Sequence, residues 1–450
     1  MAPSDPGETP SNQFSLLRQR RFAAFFWTQF AGAANDNLFK FAFTVLVTYQ
    51  LGLAWLPPAL AGLVIGAVFI LPFVLFSATS GQLADKYEKS ALVRGLKNLE
   101  LAVMLLAALG FLASGQPWQA PLLLVCTFLM GLQSTLFGPV KYAWLPQTLK
   151  DSELMGGNGM VEMGTFVAIL LGNLAGGLLI AVPGQGPVWV ALACVLLALA
   201  GRLTAGAMPA AAAPDPHLRI NWNPWTETWR NLRMVGQSPD MFRVLLGISW
   251  MWFFGAVFLS LFPGFAREVL SGNEQVASLL LVLFSVGIGT GALLCERLGR
   301  GRIELALVPA GALGMTVFTV DLYFAVSHLP TAGSMDAAEF LRHGAHWRVM
   351  ADLLLLSLSA GLYSVPLYAL MQQRSRPTHR ARVVAALNIL NALFMVTSAL
   401  LAGALLGLGW SIPKVFLAVG LAGACMTTWL VLAEPACRSR LGVLLGLAKA

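Results

Sequence analysis

Apolar stretches of about 20 residues recur along the whole chain, and short polar segments separate them. Each stretch is long enough to cross the hydrocarbon core of a bilayer as an α-helix. The boundary between the last two is the least sharply marked, because it falls within the short run 409–413. Since their number is even, we expect both chain ends on the same side of the membrane. The pattern predicts twelve helices, at residues 22–50, 59–83, 91–113, 119–148, 155–182, 187–205, 240–270, 275–296, 303–328, 348–373, 381–409 and 411–433.

Composition supports a membrane protein. Hydrophobic residues make up 57% of the chain, charged residues only 11%, and the mean hydropathy is +0.72. Ordinary soluble domains carry about 25% charged residues. A chain with so few charges cannot cover a water-facing surface, so lipid must solvate it. The prediction is therefore an all-α membrane protein, and the first helix is too long for a cleavable signal peptide.

Lysines and arginines concentrate at one end of the predicted bundle. With the chain termini taken as cytoplasmic, the outer loops hold only Arg267, Arg342, Arg348 and Lys414. A bias of this kind sets orientation. We therefore expect a multi-pass protein of the bacterial cytoplasmic membrane with both termini cytoplasmic. The net charge of +8 then reflects contact with anionic lipid headgroups and does not suggest nucleic acid as a partner.

A long polar connection divides the helices into two sets of six. It spans 206–239 and contains a Trp-rich piece at 221–229, which we expect to lie along the membrane interface. The chain is thus predicted to form two pseudo-symmetric six-helix bundles. The predicted segments are a disordered cytoplasmic N-terminus at 1–21, a first bundle at 22–205, the cytoplasmic linker at 206–239, a second bundle at 240–433, and a cytoplasmic tail at 434–450.

The two halves repeat a short motif at the inner end of their second helix, with a glycine, a leucine, and then an acid followed by a base. The glycine permits close helix approach, and the acid can pair with a neighbouring helix end. Such contacts can break and re-form as two halves rock against each other. The motif resembles the loop signature of the major facilitator superfamily, although the first copy has Glu88 where a second glycine is usual. The gating residues predicted from it are Gly81, Asp85, Lys86 and Lys89 in the first half, and Gly291, Glu296, Arg297 and Arg300 in the second.

Charged residues at membrane depth are costly, about 2.5–3.5 kcal/mol at the bilayer centre by insertion scales, and usually functional. Asp36 lies midway along the first predicted helix, and Lys40 follows it on the same face at a spacing that permits contact. Lys141 lies in the fourth helix, roughly 11 Å from its inner end at 1.5 Å per residue. Each position has a structural alternative. Asp36 and Lys40 would form a buried ion pair, and Lys141 would extend to the interface.

Polar residues in other helices extend this set. Asn158 and Glu162 fall on one stripe of the fifth helix, where Glu162 serves either as a proton or cation site or as a bond to a neighbouring helix. In the second half the polar residues are mostly neutral, including Asn388 and Asn391, which have the same helix-bonding alternative. Asp321 is an exception with no obvious partner. A charged first half facing an apolar second half suits an amphipath with a charged head and an apolar tail.

Several of these segments resemble bacterial lysophospholipid transporters. They are residues 28–40 around Asp36, 137–142 around Lys141, 158–162, and 365–367. The segment 387–392 is similar to the version fused to acyl-carrier-protein-dependent phospholipid acyltransferases. The resemblance implies movement of lysophospholipid, chiefly lysophosphatidylethanolamine, from the outer to the inner leaflet for reacylation. It places the substrate site at Asp36 and Lys141, with Lys40, Asn158 and Glu162 beside them. Any acyltransferase would be a separate partner.

Two other functions compete with this hypothesis. A proton-driven exporter of cationic or amphipathic drugs has the same fold, and Asp36 and Glu162 would then carry protons. A membrane acyltransferase would need a histidine with an acid at a fixed spacing, and none of the five histidines has one. The sequence shows no nucleophile motif and no metal-binding or cofactor-binding spacing, and its cysteines predict no disulfide framework. We therefore expect a transporter that is not an enzyme, with a non-transporting scaffold as a remote alternative.

Overall fold

The computed structural model describes residues 13–56, 58–299, 302–327, 329 and 335–433. Within these residues the fold is all-helical, and its only β contact is an isolated bridge between Gly272 and Met335. The α-helices are α1 (Arg20–Leu46), α2 (Pro58–Lys86), α3 (Lys89–Leu112), α4 (Gln119–Thr148), α5 (Leu154–Ile180), α6 (Gly186–Gly206), α7 (Pro224–Gly236), α8 (Pro239–Gly264), α9 (Glu274–Gly299), α10 (Leu307–Ser327), α11 (Ala337–Arg342), α12 (Trp347–Arg374), α13 (Arg380–Gly407) and α14 (Ile412–Ala433).

Twelve of these helices correspond to the predicted membrane spans, and the short helices α7 and α11 lie between spans. Eleven of the twelve are long and apolar enough to cross a bilayer by length and composition alone. The remaining one, α1, has 27 residues but holds Asp36 and Lys40 among several amides. Its polarity follows from its position, because it packs against α5 and α6 inside the first bundle. The predicted fold class is confirmed.

Two six-helix bundles pack side by side. In the first, α1 contacts α5 and α6, and α2 contacts α4; in the second, α8 contacts α13 and α14, and α9 contacts α12. The bundles meet where α5 lies on α9 and where α2 lies on α13. The interface therefore pairs the fifth span of each half with the second span of the other, as a pseudo-two-fold axis requires.

Glycines set the closest helix contacts. A Cβ atom on Gly291 of α9 would overlap the carbonyl oxygen of Leu358 in α12, and one on Gly176 of α5 would lie 2.6 Å from that of Leu38 in α1. Neither helix pair could approach so closely with a larger residue. Small residues at helix crossings are how membrane bundles gain packing contacts without a hydrophobic driving force between helices.

One ion pair is completely enclosed in the first bundle. Lys97 donates to Glu100 at 2.6 Å, and their side chains are 1% and 0% exposed. The Glu100 carboxylate also accepts from Asn35 at 3.2 Å and from Gln133 at 3.2 Å, which brings α1, α3 and α4 together. The enclosure supports the structural role that their local spacing predicts, because no ligand can reach either charge.

The N-terminal prediction is partly wrong. Residues 13–21 were expected to be disordered, but a 3-10 helix spans Gln13–Arg18 and α1 begins at Arg20. The Leu16 side chain is buried among apolar residues of the first bundle, and the Gln13 amide donates to the carbonyl oxygen of Leu293 in α9 at 3.0 Å. These contacts order the segment. Residues 1–12 and the predicted tail at 434–450 lie outside the described residues.

The linker contains an amphipathic helix, α7. Glu227, Asn231 and Val235 form its buried face, whereas Trp225 and Trp229 are 67% and 70% exposed. Just before α7, Asn221 and the side chain of Gln82 in α2 exchange hydrogen bonds of 2.7 and 3.1 Å. Exposed tryptophan beside a charged face fits the predicted position along a membrane interface.

Within the described residues, the contacts between the halves concentrate toward one end. We name the basic end as that where α1 begins and α2 ends. In α13, every residue from Ala381 to Leu390 is buried, whereas Leu393, Val396 and Leu400 are 45%, 44% and 70% exposed. The bundles therefore enclose α13 more completely near the basic end than toward the opposite end.

We expect Lys97→Met to destabilise the protein by about 3–5 kcal/mol, because it leaves the Glu100 carboxylate buried without its cation. Thermal unfolding of the detergent-solubilised protein would measure this as a lower melting temperature. The double variant Lys97→Met/Glu100→Leu should recover much of the loss, since an apolar pair replaces both charges. A single variant as stable as the parent would show that the pair is not structural.

Candidate functional site

Helix α1 contributes Asp36 to the interior of the helix bundle. Its carboxylate accepts a hydrogen bond of 2.6 Å from the hydroxyl of Ser134 in α4, and its other oxygen, Oδ1, is buried without a hydrogen-bond partner. The side chain is partly buried. A carboxylate with one free oxygen at this depth can still accept hydrogen bonds from a cation or a polar ligand.

Lys40 does not form the ion pair with Asp36 that the helical spacing allows. Its ammonium lies 4.0 Å from the centroid of the Phe69 ring in α2 instead. A ring face attracts a cation through its quadrupole, and this attraction strengthens where water is excluded. Asp36 and Lys40 therefore form no ion pair in the described structure, and both side chains remain partly exposed.

Lys141 points inward and does not extend to the basic end. Its ammonium donates to the Thr165 hydroxyl of α5 at 2.9 Å, and that oxygen lies 3.2 Å from Oε1 of Gln29 in α1. The interfacial alternative for Lys141 is thus wrong for this conformation. Three helices of the first bundle hold the ammonium in place.

Asp36 and Lys141 face the same interior surface. Ser134, the partner of Asp36, is seven residues from Lys141 on α4, which is two helical turns or about 10 Å. Between them on the same face lies Gly138, where a Cβ atom would be 2.5 Å from Nδ2 of Asn388 in α13. This face of α4 therefore looks toward the second half and away from lipid.

Glu162 belongs to a buried polar chain between the halves. Its carboxylate is 1% exposed and accepts from the Tyr142 hydroxyl at 2.7 Å. The Tyr142 ring stacks on that of Tyr368 in α12 at 4.7 Å, and the Tyr368 hydroxyl accepts from Trp252 at 2.9 Å. The stacked tyrosines close the interior on its basic side. They lie in the fourth and tenth spans, which occupy equivalent positions in the two halves.

The remaining predicted residues occupy different places. Asn158 forms two hydrogen bonds, 2.7 and 3.0 Å, with the amide of Gln372 across the halves, so it joins the closed interface. Asn391 accepts from Ser249 at 2.8 Å within the second half. Asn388 is buried, and its Nδ2 has no hydrogen-bond partner among the described residues. Of the three, Asn388 keeps the most capacity to bind a ligand.

The first copy of the gating motif bridges the halves at the basic end. Asp85 accepts from the Arg382 guanidinium at 3.0 Å and from the backbone N–H of Ala381 at 3.3 Å. Both donors lie in the first turn of α13, where a helix favours negative charge. Gly81 permits this approach, since a Cβ there would lie 2.8 Å from that of Ala385. The acid thus has the helix N-terminus as its partner.

The second copy of the gating motif makes the equivalent contact from the second half to the first. Glu296 of α9 accepts a hydrogen bond from the backbone N–H of Gly156, in the first turn of α5. Lys86 lies 5.9 Å from the centroid of the Tyr87 ring, and Arg297 is exposed. Lys89 is buried, with no hydrogen-bond partner for its ammonium in the described part of the chain. Arg300 lies outside the described residues.

The departure from the motif at Glu88 has a structural reason. Its carboxylate caps α3 by accepting from the backbone of Ser90 and Ala91, and it also accepts from Ala211 of the linker at 2.7 Å. Partial burial alone would raise the pKa of Glu88, but these hydrogen bonds hold it below its ordinary value. The glutamate therefore fastens the linker to the end of the first bundle.

Sequence reasoning missed the neutral partners of the charged residues. Ser134, Thr165 and Gln372 hold Asp36, Lys141 and Asn158, yet each lies on a different helix from the residue it binds. Ser134 and Lys141 share one face of α4 at a spacing of seven, which was the one visible signal. The other partners depend on which helices meet, and that is set by packing.

Two six-helix bundles related by a pseudo-two-fold axis, with charged side chains in the interior, define the architecture of a multi-pass membrane transporter. The model of the Major Facilitator Superfamily matches residues 25–335. The chain belongs to this superfamily.

Curated relatives confirm the resemblance to lysophospholipid transporters. The chain is 26% identical over 380 residues to the lysophospholipid transporter LplT of Serratia proteamaculans (strain 568), covering 84% of each chain. It is 28% identical over 353 residues to that of Escherichia fergusonii, covering 77% of this chain and 79% of the relative.

Solved structures confirm the fold. The fucose transporter FucP in its outward conformation superposes with a TM-score of 0.66 at 13% identity, covering 92% of this chain and 98% of that one. A bacterial homologue of ferroportin gives 0.65 at 14% identity, covering 91% and 99%.

We expect Asp85→Asn to weaken closure of the basic end, because the amide loses the charge that binds Arg382 and the N-terminus of α13. Spin labels at Ala91 and Arg376 in a cysteine-free background would report the separation between the halves. The parent should give a single short distance, and the variant a second, longer population. Asp240→Asn, which alters an exposed ion pair within one half, is the control. An unchanged distance distribution in Asp85→Asn would contradict the gating role.

Proposed function

We propose that this protein is a lysophospholipid transporter. It moves substrates such as lysophosphatidylethanolamine from the outer to the inner leaflet of the bacterial cytoplasmic membrane, where they are reacylated. Sequence similarity to proteins of that name supports the class of substrate. The observation that carries the proposal is the pair of opposite charges on the interior face of the first bundle, where Asp36 binds Ser134 and Lys141 follows Ser134 by two turns of α4.

The spacing suits a zwitterionic headgroup. A primary ammonium would bind the free Oδ1 of Asp36, and the phosphate would bind the Lys141 ammonium through contacts of about 2.8 Å. Lys40 follows Asp36 by one turn on the side away from Lys141, so it neighbours the ammonium end of the headgroup and lies outside the phosphate contact. Nδ2 of Asn388 supplies a neutral donor from the opposite half.

The second half provides an apolar surface. Near Asn391, the second half contributes the aromatic rings of Trp252, Phe253 and Phe394. The rings of Phe253 and Phe394 make an edge contact, with centroids 6.3 Å apart. An acyl chain would lie against these rings or extend into lipid where the bundles diverge. This division would explain why the charges of the proposed substrate site lie in the first bundle: only the head of the substrate requires them.

Transport requires the basic end to open. We take that end as cytoplasmic because basic residues concentrate there. The conformation described here is then open toward the outer leaflet, from which the substrate arrives. Rocking of the bundles would break the Asp85–Arg382 and Asn158–Gln372 contacts and separate the stacked tyrosines. An acyltransferase acting on the released lipid would be a separate cytoplasmic partner.

A proton-coupled exporter of cationic amphipaths is the second candidate. The observation that favours it is Glu162, a fully buried carboxylate without an ion-pair partner within 4.0 Å in the described residues. Protonation of Glu162 would remove a buried charge and weaken its bond to Tyr142, which couples the site to the tyrosine stack.

We expect Asp36→Asn to lower the rate of lysophosphatidylethanolamine transfer at least about 30-fold, since a charged hydrogen bond to the substrate is lost. Transfer into sealed vesicles containing the purified protein is the measurement. The amide can still accept from Ser134, so the melting temperature should stay near that of the parent. Asp240→Asn should transport normally. Persistent transfer by Asp36→Asn would remove this residue from the site.

We also expect transfer to continue in sealed vesicles without a proton gradient, and Glu162→Gln to retain most of it, because the amide preserves a bond to Tyr142. Lysolipid counterflow at equal pH on both sides is the assay. Transfer that requires an imposed proton gradient, and that Glu162→Gln abolishes, would favour the proton-coupled exporter.

A further inference from the structure

A charged cluster outside the proposed substrate site lies at the end opposite the basic end. Asp321 of α10 binds the Arg348 guanidinium of α12 through both oxygens, at 3.0 and 2.5 Å. The two side chains remain 39% and 54% exposed. Arg348 is one of the few basic residues at this end, and the pair explains the charge at Asp321 for which the sequence offered no partner.

A third member of the cluster is buried. Asp352 stands one turn beyond Arg348 on α12, is 3% exposed, and interacts with the Asp321 carboxyl. Its Oδ2 atom has no hydrogen-bond partner among the described residues. The carboxyl groups of Asp352 and Asp321 share a hydrogen bond, which requires a proton on one of them. A cation that displaced this proton would find two carboxylates as hydrogen-bond acceptors.

An apolar groove begins beside this cluster. It has a volume of about 340 Å³ and follows the outer face of α10, where it is lined by Asp321 together with Thr316, Val317, Phe318, Val320 and Phe324. The face continues toward the bilayer centre, with Val317 48% exposed and Leu313 65% exposed. Charged groups at one end of an apolar strip match the division of an amphipathic lipid.

The depth of the cluster fits a lipid headgroup. Asp321 lies six residues before the end of α10 at Ser327, or about 9 Å at 1.5 Å per residue, and Arg348 lies in the first turn of α12. Arg348 stands at the start of its span beside Trp347, which is 61% exposed, and this places the pair near the membrane interface, where tryptophan is favoured.

We propose that Asp321, Arg348 and Asp352 form a binding site for the headgroup of a primary-amine phospholipid in the leaflet at this end. The ammonium donates hydrogen bonds to Asp352 and Asp321 and replaces the proton that their carboxyl groups share, which is released to water. The phosphate binds the exposed edge of Arg348, which has five N–H donors and uses two on Asp321. An acyl chain lies along Val317 and Val320. A quaternary amine cannot donate these bonds, so choline lipids bind weakly.

The same headgroup occurs on a diacyl phospholipid of the bilayer and on a lysophospholipid. The site is separate from Asp36 and Lys141, and it does not depend on the transport proposed above. A bilayer phospholipid would act as a bound structural lipid, whereas a lysophospholipid would be held at the protein surface before reaching the interior.

Retention of defined lipids by the purified protein, measured by native mass spectrometry, tests the site. Phosphatidylethanolamine, its N-methylated derivatives, phosphatidylcholine and phosphatidylglycerol are compared, each in diacyl and lyso form. We expect retention to fall by about tenfold as the amine becomes fully methylated, since its charge-assisted hydrogen bonds are lost. This series uses the unaltered protein. Equal retention of all headgroups would overturn the proposal.

Two variants assign the residues. Asp352→Asn should weaken retention of phosphatidylethanolamine about tenfold and leave phosphatidylglycerol unchanged, whereas Arg348→Gln should weaken both. Asp240→Asn is the control. If Asp352→Asn retains phosphatidylethanolamine like the parent, Asp352 is not its ligand and the proposed site is wrong.

A competition experiment identifies the source of the headgroup. Displacement of bound diacyl phosphatidylethanolamine by equimolar lysophosphatidylethanolamine supports a surface site for lysolipid. Persistence of the diacyl lipid supports a structural lipid site. Either result agrees with the proposed headgroup chemistry. Displacement of both ethanolamine lipids by phosphatidylcholine would refute it. Because retention is measured without transport, a failure here leaves the test of Asp36 unaffected.

Discussion

An ionised side chain at membrane depth must have a polar or charged partner, because hydrocarbon supplies none. This constraint governs the first bundle. Lys97 and Glu100 satisfy each other completely and are sealed from any ligand. Asp36 and Lys141 are satisfied only in part, by neutral hydroxyl groups, and stay partly exposed toward the second half. Complete burial with a charged partner indicates a structural role, whereas partial exposure with neutral partners suits the proposed binding role. This contrast is more informative than the presence of charge alone.

The same constraint shapes the closed end. The carboxylates of Asp85 and Glu296 each accept a hydrogen bond from the first turn of a helix in the other bundle. Asp85 contacts α13, and Glu296 contacts α5. A helix N-terminus is a weak, diffuse positive partner, and it loses its effect within about one turn. Closure built on such contacts, one from each half, is stable without being permanent. The Asn158–Gln372 amide pair and the Tyr142–Tyr368 stack add neutral contacts of the same reversible kind.

The sequence predicted the twelve spans and the two halves, because hydrophobic length and motif repetition are local properties. It did not predict the contacts. The spacing of Asp36 and Lys40 allowed an ion pair, yet Phe69 from another helix binds the ammonium. The segment 13–21 looked too polar to fold, yet Gln13 reaches a carbonyl of α9. Both errors arise from partners distant in sequence, which depend on how the helices pack.

Placing both charges on one bundle has a consequence for how a lipid would cross. If the bundles rock as rigid bodies, Asp36, Lys40 and Lys141 move together, so the ionic contacts to a headgroup need not break during the transition. The second bundle changes its position relative to the substrate, and its contacts are neutral amides and aromatic rings, which slide along an acyl chain at small cost. Had the charges been divided between the halves, opening would have required separating an ion pair through the ligand. Under the proposed mechanism, this asymmetry would lower the barrier for a substrate that is itself charged at one end and apolar at the other.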